Sequence, residues 1–295
     1  MNNEPIVIFF QVIINGLSNG GVYSLIAVGL TMIVGVLKAV NFAQGDCLTL
    51  GLYLTLLFQR LTGLDPLLLL VPTAACAFLA GFGIFEAVIY PAMHKDRTSF
   101  TITTLGLSYV IATTLLLVFG AVPQNVNSIL KGVAVRFGAF SLPAPRLVSF
   151  VIMLMFVIVL DRFLKKTDMG RAMRATAENK DVSQMLGINT RSVARTTFSL
   201  GVMFACIAGL LISPTYYLYP SMGGLFNILA MSCVVIGGLG SVYGAVLSSM
   251  MVGVLEAMIG TYISVDLSAS AAFLLLIFVL IFTPNGLFGK GERIA

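Results

Sequence analysis

Long apolar runs separated by a few polar islands make up almost the whole chain. No charged residue occurs over 5–37, 98–130, 196–255 or 267–289. About 20 apolar residues span a bilayer, so each of these stretches holds one or more membrane helices. Residues 5–37 as a single helix would be about 50 Å long, against a hydrocarbon core of about 30 Å. The pattern therefore predicts a break at Asn15-Gly16 or Asn19-Gly20-Gly21, with a short segment over 6–17 and a helix over 21–37. A polar interruption, KAVNFAQGD (38–46), leads into apolar segments at 47–58, 66–90, 101–119, 147–160 and 196–213. The HKDR turn (94–97) and the charged run after 160 are the positive loops, which places them on the cytoplasmic side. The connection 120–146 then lies outside, and the alternation of Val133, Val135 and Phe137 before Gly138-Ala139 predicts a small exposed hairpin there. Pro214, Tyr216, Tyr217 and Tyr219 sit where an outer aromatic belt is expected. From an outer position near Pro220 to an inner tail at Lys290 and Arg293 the crossings must be odd in number. Residues 225–260 are therefore two segments, split at GGLGSVYG (237–244). The count is nine apolar segments, one or two of them half-helices.

Composition agrees with this reading. Hydrophobic residues make up 58% and charged residues only 10%, against roughly 25% charged in soluble domains. The fold class is an all-α polytopic membrane protein of about eight or nine transmembrane segments with Gly-broken half-helices and one cytoplasmic coupling helix, in a single domain over 1–295. The net charge of +5 is what retained cytoplasmic Lys and Arg produce, and no basic face interleaved with aromatics points to nucleic acid. Cys47, Cys76, Cys206 and Cys233 lie in apolar runs without C-x-x-C spacing and read as packing residues. His94 is the sole histidine, which leaves little for His-based catalysis or a metal site. The start, MNNEPIVIFFQ, lacks a basic region and carries Glu4, so an uncleaved first helix is expected.

Eight of the 17 Lys and Arg fall within 161–195. Within that loop, 170–186 has helical periodicity: Arg171, Arg174, Glu178 and Asp181 recur at three- and four-residue spacing, while Ala172, Ala175, Val182, Met185 and Leu186 are apolar. Gly187 follows as a C-terminal cap. An amphipathic helix fixed to two membrane helices suits a docking surface for a soluble partner; a merely solvated positive loop is the other reading. NFAQGD has two readings as well. Asn41, Gln44, Gly45 and Asp46 are ordinary turn formers, but polar groups at membrane depth are tolerated where they line a cavity or pair with protein. Glu86 and Glu256 lie near segment ends, where snorkelling to the interface is expected. The block from Gly20 matches that from Gly223 at an offset of 203 (Gly20 with Gly223, Ala27 with Ala230, Gly35 with Gly238). Such paired Gly-interrupted segments point to a solute path, and Gly237, Gly238 and Gly240 join the candidates for it. No G-x-x-x-x-G-K-[ST] loop is present, so any ATP is handled by another chain.

The blocks YSLIAVGLTMIVGVLKAVNFAQGD (23–46), GRAMRATAENKDVSQMLGINT (170–190) and GGLGSVYGAVLSSMMVGVLE (237–256) resemble the permease family of bacterial ABC importers for branched-chain amino acids. The resemblance implies a permease of the inner membrane paired with a second homologous permease, two ATPase subunits and a periplasmic solute-binding protein. It implies that the chain is not itself an enzyme and binds no cofactor, with ATP and magnesium held by the partners. It also implies that the region from Glu178 to Asn189, including Gly187 and Ile188, is the coupling element. Gln44 and Asp46 stand where many relatives carry His and Glu, and the importers' coupling pattern is only echoed by Ala175, Ala177 and Gly187. Urea and short amides therefore stay open as solutes beside branched-chain amino acids. A gradient-driven carrier or channel is the rival class, with Asp46 its one candidate ion site.

Overall fold

The computed structural model describes residues 4–93, 97–137, 140–268 and 270–289. Most of the basic turn expected at 94–97, the hairpin tip at Gly138-Ala139 and the tail with Lys290 and Arg293 lie outside these residues.

The first helix, α1 (Glu4–Leu37), runs unbroken for 34 residues, and the expected interruption at Asn15-Gly16 or Asn19-Gly20-Gly21 does not occur. The glycines serve close packing. A Cβ on Gly16 would lie 2.6 Å from the Val254 Cα, one on Gly20 would lie 2.6 Å from the Ser249 oxygen, and one on Gly253 would lie 2.5 Å from the Gly16 oxygen. Small residues on facing helices let the two backbones touch, which is how membrane helices associate without a hydrophobic drive between them. Toward its N-terminal end Ile6, Ile8 and Phe10 are exposed, and the Gln11 carboxamide accepts a hydrogen bond from the Ser141 N–H at 3.0 Å.

The chain continues through α2 (Gln44–Thr62), α3 (Leu70–Ile84), a π-helical turn (Phe85–Ile89), α4 (Tyr90–Met93) and α5 (Arg97–Phe119). The expected hairpin follows as β1 (Ala134–Phe137) and β2 (Phe140–Pro143), paired antiparallel. After it come α6 (Ala144–Lys166), α7 (Asp168–Glu178), α8 (Lys180–Met185), α9 (Thr190–Ile212), a 3-10 turn (Pro220–Met222), α10 (Gly223–Gly237), α11 (Val242–Tyr262), α12 (Val265–Ser268) and α13 (Ala271–Phe282). Seven of the described helices are long and apolar enough to cross a membrane; with α2 and the short α13 the described apolar helices number nine, roughly the expected count, although α1 is one helix where two segments were expected. The expected split within 225–260 falls between Gly237 and Val242.

Two helices begin inside the molecule. The Gln44 amide at the start of α2 donates to the Gly201 carbonyl at 3.0 Å, and Gly201 lies midway along the 23-residue α9. The first residue of α10, Gly223, packs directly on Asp46. The half-helices are thus α2 and α10, whose N-termini meet. Around them α1 and α9 form the buried centre, whereas α3, α5 and α6 show most of their surface outward, as helices facing lipid do. At one end of the bundle Arg60 donates to Gln124 at 2.8 Å and Asp65 accepts from the Ile129 N–H at 2.8 Å, and Gln124 and Leu218 exchange backbone hydrogen bonds. Of the expected aromatic belt there, Tyr217 is exposed, but Tyr216 turns inward against Phe226, with ring centroids 6.2 Å apart. The other end carries α7, α8 and the α10–α11 break.

Candidate functional site

At that second end the loop between α6 and α9 is built by successive caps. The Thr167 hydroxyl accepts from the Gly170 N–H at 3.0 Å and starts α7. Gly170 has no side chain because its Cα lies against the backbone of Phe163 and Leu164, one turn back in α6. Arg171 pairs with Asp168, and Arg174 donates to the Leu164 carbonyl. The single helix expected over 170–186 is two: Asn179 leaves helical geometry and its carboxamide accepts from the Asp181 and Val182 N–H groups at 3.0 and 3.1 Å, beginning α8. A side-chain oxygen that satisfies orphan N–H groups restarts a helix in a new direction. Gly187 takes the left-handed conformation, φ +82°, as the expected cap, and Asn189 caps α9 through the Ser192 N–H at 3.0 Å.

This framework presents an apolar tip. Met185 is 86% and Leu186 76% exposed, with Val182 beside them. Arg171, Arg174, Glu178 and Asp181 are exposed on the same loop, and Ile188 is half-buried. Large apolar side chains held outward on a capped helix in a polar loop make this tip a candidate interaction surface.

The other predicted residues fall into two separate places. Asn41, Gln44, Gly45 and Asp46 form one buried knot. Asn41 donates to the Gln44 Oε1 at 3.1 Å and accepts from the Ala43 N–H at 3.1 Å. The Gly45 N–H, an orphan donor of the α2 N-terminus, donates to the Asn227 Oδ1 of α10 at 3.4 Å. Asp46 stands in the first turn of α2, where a carboxylate is favoured by the helix end, and accepts from the Ser108 hydroxyl of α5 at 2.5 Å. Asn41 and Gln44 are wholly enclosed by protein: their polar groups satisfy a backbone that turns back at membrane depth. Gly237, Gly238 and Gly240 lie elsewhere, at the break between α10 and α11, near the end of α1. A Cβ on Gly240 would meet the Gly35 Cα at 3.6 Å, and the Ile236 carbonyl accepts from Leu287 N–H at 2.8 Å.

Neither Glu86 nor Glu256 simply snorkels. Glu86 pairs with Arg191 and Arg195, whereas the Glu256 Oε2 is buried without a hydrogen-bond partner. Sequence reasoning also missed the outward face of α5. Gly106, Tyr109, Thr113 and Thr114 are exposed there in the middle of a membrane-length helix, Tyr109 by 74%. Ile102, Val110 and Leu117 are exposed beside them, so the surface is mixed, and its hydroxyl groups make it a candidate for contact with protein or a water-filled path. The three- and four-residue spacing of Gly106, Tyr109 and Thr113 in the sequence is the signal that would have found them.

These features are those of a polytopic helical membrane protein with an exposed apolar tip at one end and hydroxyl side chains on an outward helix surface. Comparison with known proteins places it more closely. Residues 12–282 match the family of the permease component of branched-chain amino acid transport systems, and the chain belongs to this family. It is 31% identical to the high-affinity branched-chain amino acid transport system permease protein LivH of Salmonella typhimurium, over 98% of both chains. It is also 31% identical to the corresponding protein BraD of Pseudomonas aeruginosa, over 96% of this chain and 97% of that one. Among solved structures, PsaBC from Streptococcus pneumoniae in complex with Fab shares the fold, with TM-score 0.52 and 11% identity over 92% and 91% of the two chains. The chain is a multi-pass protein of the inner membrane.

Proposed function

We propose that this chain is the permease subunit of an ATP-driven importer of branched-chain or closely related amino acids. The observation that carries the reading is the exposed Met185–Leu186 tip, held rigidly between two spans by Thr167, Asn179 and Asn189. Its occupant is an ATPase subunit, which holds the ATP and magnesium; a solute-binding protein meets the opposite end. The polar face of α5 lines the path together with a second permease, with Ser108 and Asp46 directly behind it. Nucleotide acts by favouring one arrangement of the two permeases over another, so the tip must make different contacts in the two states. A path with Asp46 as its one nearby ionisable group suits a net-neutral solute, which a zwitterionic amino acid is. The relatives' names supply the solute class.

The test is purification of the chain from its native membrane in mild detergent, beside the variant Met185→Asp/Leu186→Asp. Two ATPase polypeptides and a second permease accompany the parent chain, and the ATPases are lost from the variant while its amount in the membrane is unchanged. A chain that purifies alone and moves amino acid in vesicles without ATP overturns the reading.

A further inference from the structure

Directly after the coupling loop, α9 opens with Arg191 and Arg195, four residues apart and so on one helix face. Both reach the same carboxylate: Arg191 Nη2 donates to the Glu86 Oε2 at 2.5 Å and Arg195 Nη1 to the Glu86 Oε1 at 3.1 Å. Each guanidinium also lies on an aromatic ring flanking Glu86. Arg191 is 3.8 Å from the centroid of Tyr90 and Arg195 4.2 Å from that of Phe82. Cation–π contacts of this kind add to the ion pair and fix its direction.

The opposing element is unusual in the same place. Glu86 sits in the π-helical turn Phe85–Ile89, the one stretch of that kind among the described residues. Phe82, Glu86 and Tyr90 are spaced by four and would drift around a helix of about 3.6 residues per turn; the wider turn offsets the drift and keeps all three toward α9. Such turns are rare and recur at functional positions. Further along, a Cβ on Gly81 would lie 2.8 Å from the Ser199 Cα, so α3 and α9 pack backbone to backbone. The clamp is also not fully bonded, because the Arg195 Nε is buried without a partner. A buried donor left unmatched is rare in folded proteins.

These ion pairs are partly exposed to solvent, and such pairs add little to the packing that already holds two helices together. What a carboxylate between two guanidiniums adds is directional linkage. The linkage joins the exit of the coupling loop to α3, and α3 leads through α4 into α5, whose Ser108 and Thr104 bond Asp46 and the Phe42 N–H. We infer that Glu86, held by Arg191 and Arg195, is a positioning residue that carries movement of the coupling loop into the α3–α5 hairpin and so to the solute path. This rests on the importer reading above.

The experiment uses the complete importer in proteoliposomes with its solute-binding protein, comparing the parent with Glu86→Gln and, separately, Arg195→Met, which keeps the contact with Phe82. Solute uptake and ATP hydrolysis are measured together and normalised to assembled complex. In both variants the ATPases are expected to co-purify in parental amounts, while solute moved per ATP falls about tenfold. Parental stoichiometry in Glu86→Gln overturns the clamp, as does a loss of uptake fully explained by less assembled complex. A parent complex with no ATP-driven uptake overturns the importer reading, and the clamp's role with it; that outcome is seen before any variant is compared.

Discussion

Glycine at single positions has opposite meanings in this molecule, and the difference is set by what stands opposite. A Cβ on Gly45 would collide with the Gly223 oxygen and lie 2.5 Å from the Asn227 N, both backbone atoms at the junction of the two half-helices. Gly106, on the outward face of α5, has nothing within 4 Å. Backbone cannot rotate aside as a side chain can, so Gly45→Ala is expected to cost the upper part of the ~1–3 kcal/mol typical of overpacking. Gly106→Ala should leave the isolated chain as stable as the parent or slightly more so, since alanine is the better helix former. Thermal unfolding of the two variants in detergent distinguishes them: a lowered midpoint for Gly45→Ala and none for Gly106→Ala. Equal effects would mean that the junction is looser than its contacts imply. NFAQGD was legible as a special place from its polarity alone. That Gln44 bonds Gly201, 157 positions away, was not, because nothing local in the sequence records which carbonyl a buried amide will find.

Among the elements, α7 and α8 owe their separate directions to Asn179. Replacing it by alanine removes an N-cap worth about 1 kcal/mol while leaving the membrane helices untouched. The expected outcome for Asn179→Ala is unchanged insertion and unfolding temperature, faster amide hydrogen exchange confined to 180–186, and weaker retention of the ATPases. Unchanged exchange there would show that Ser183 and Gln184, through their bonds to Asn179 and Thr190, hold α8 without the cap. The amphipathic period over 170–186 was readable, since Met185 and Leu186 are apolar in a charged run. The division into two helices was not, because Asn179 is equally at home on a solvated helix face and the choice depends on the geometry of the neighbouring spans. The expected break in α1 failed for a related reason: Gly16 and Gly20 are helix-weakening alone, yet they are contact points once α11 lies against them.

For the molecule as a whole, the orientation argued from positive loops has a direct check. The connection 120–133 and the tip of α8 lie at opposite ends of the bundle. In a Cys76→Ser background, which removes the exposed thiol, Ile129→Cys should react with a membrane-impermeant maleimide added outside intact cells. Met185→Cys should react only after the membrane is opened. Both positions are more than four-fifths exposed on this chain, so in membranes stripped of the ATPase proposed to cover Met185 access is limited by the bilayer and not by burial, and the reverse pattern would invert the topology.

The sequence by itself determined that this is a polytopic helical membrane protein, where its loops fall, and which loop carries apolar residues in a charged run. Those features follow from transfer between water and hydrocarbon, which each stretch of chain undergoes largely on its own. Only the tertiary structure decided that α1 is continuous, that α2 and α10 are the half-helices and that Glu86 faces two arginines more than a hundred residues away. It likewise decided that the polar side of α5 looks outward. These depend on which surfaces meet, and inside a bilayer helices are sorted by close fit and by polar pairing rather than by hydrophobicity, which is nearly the same on every side.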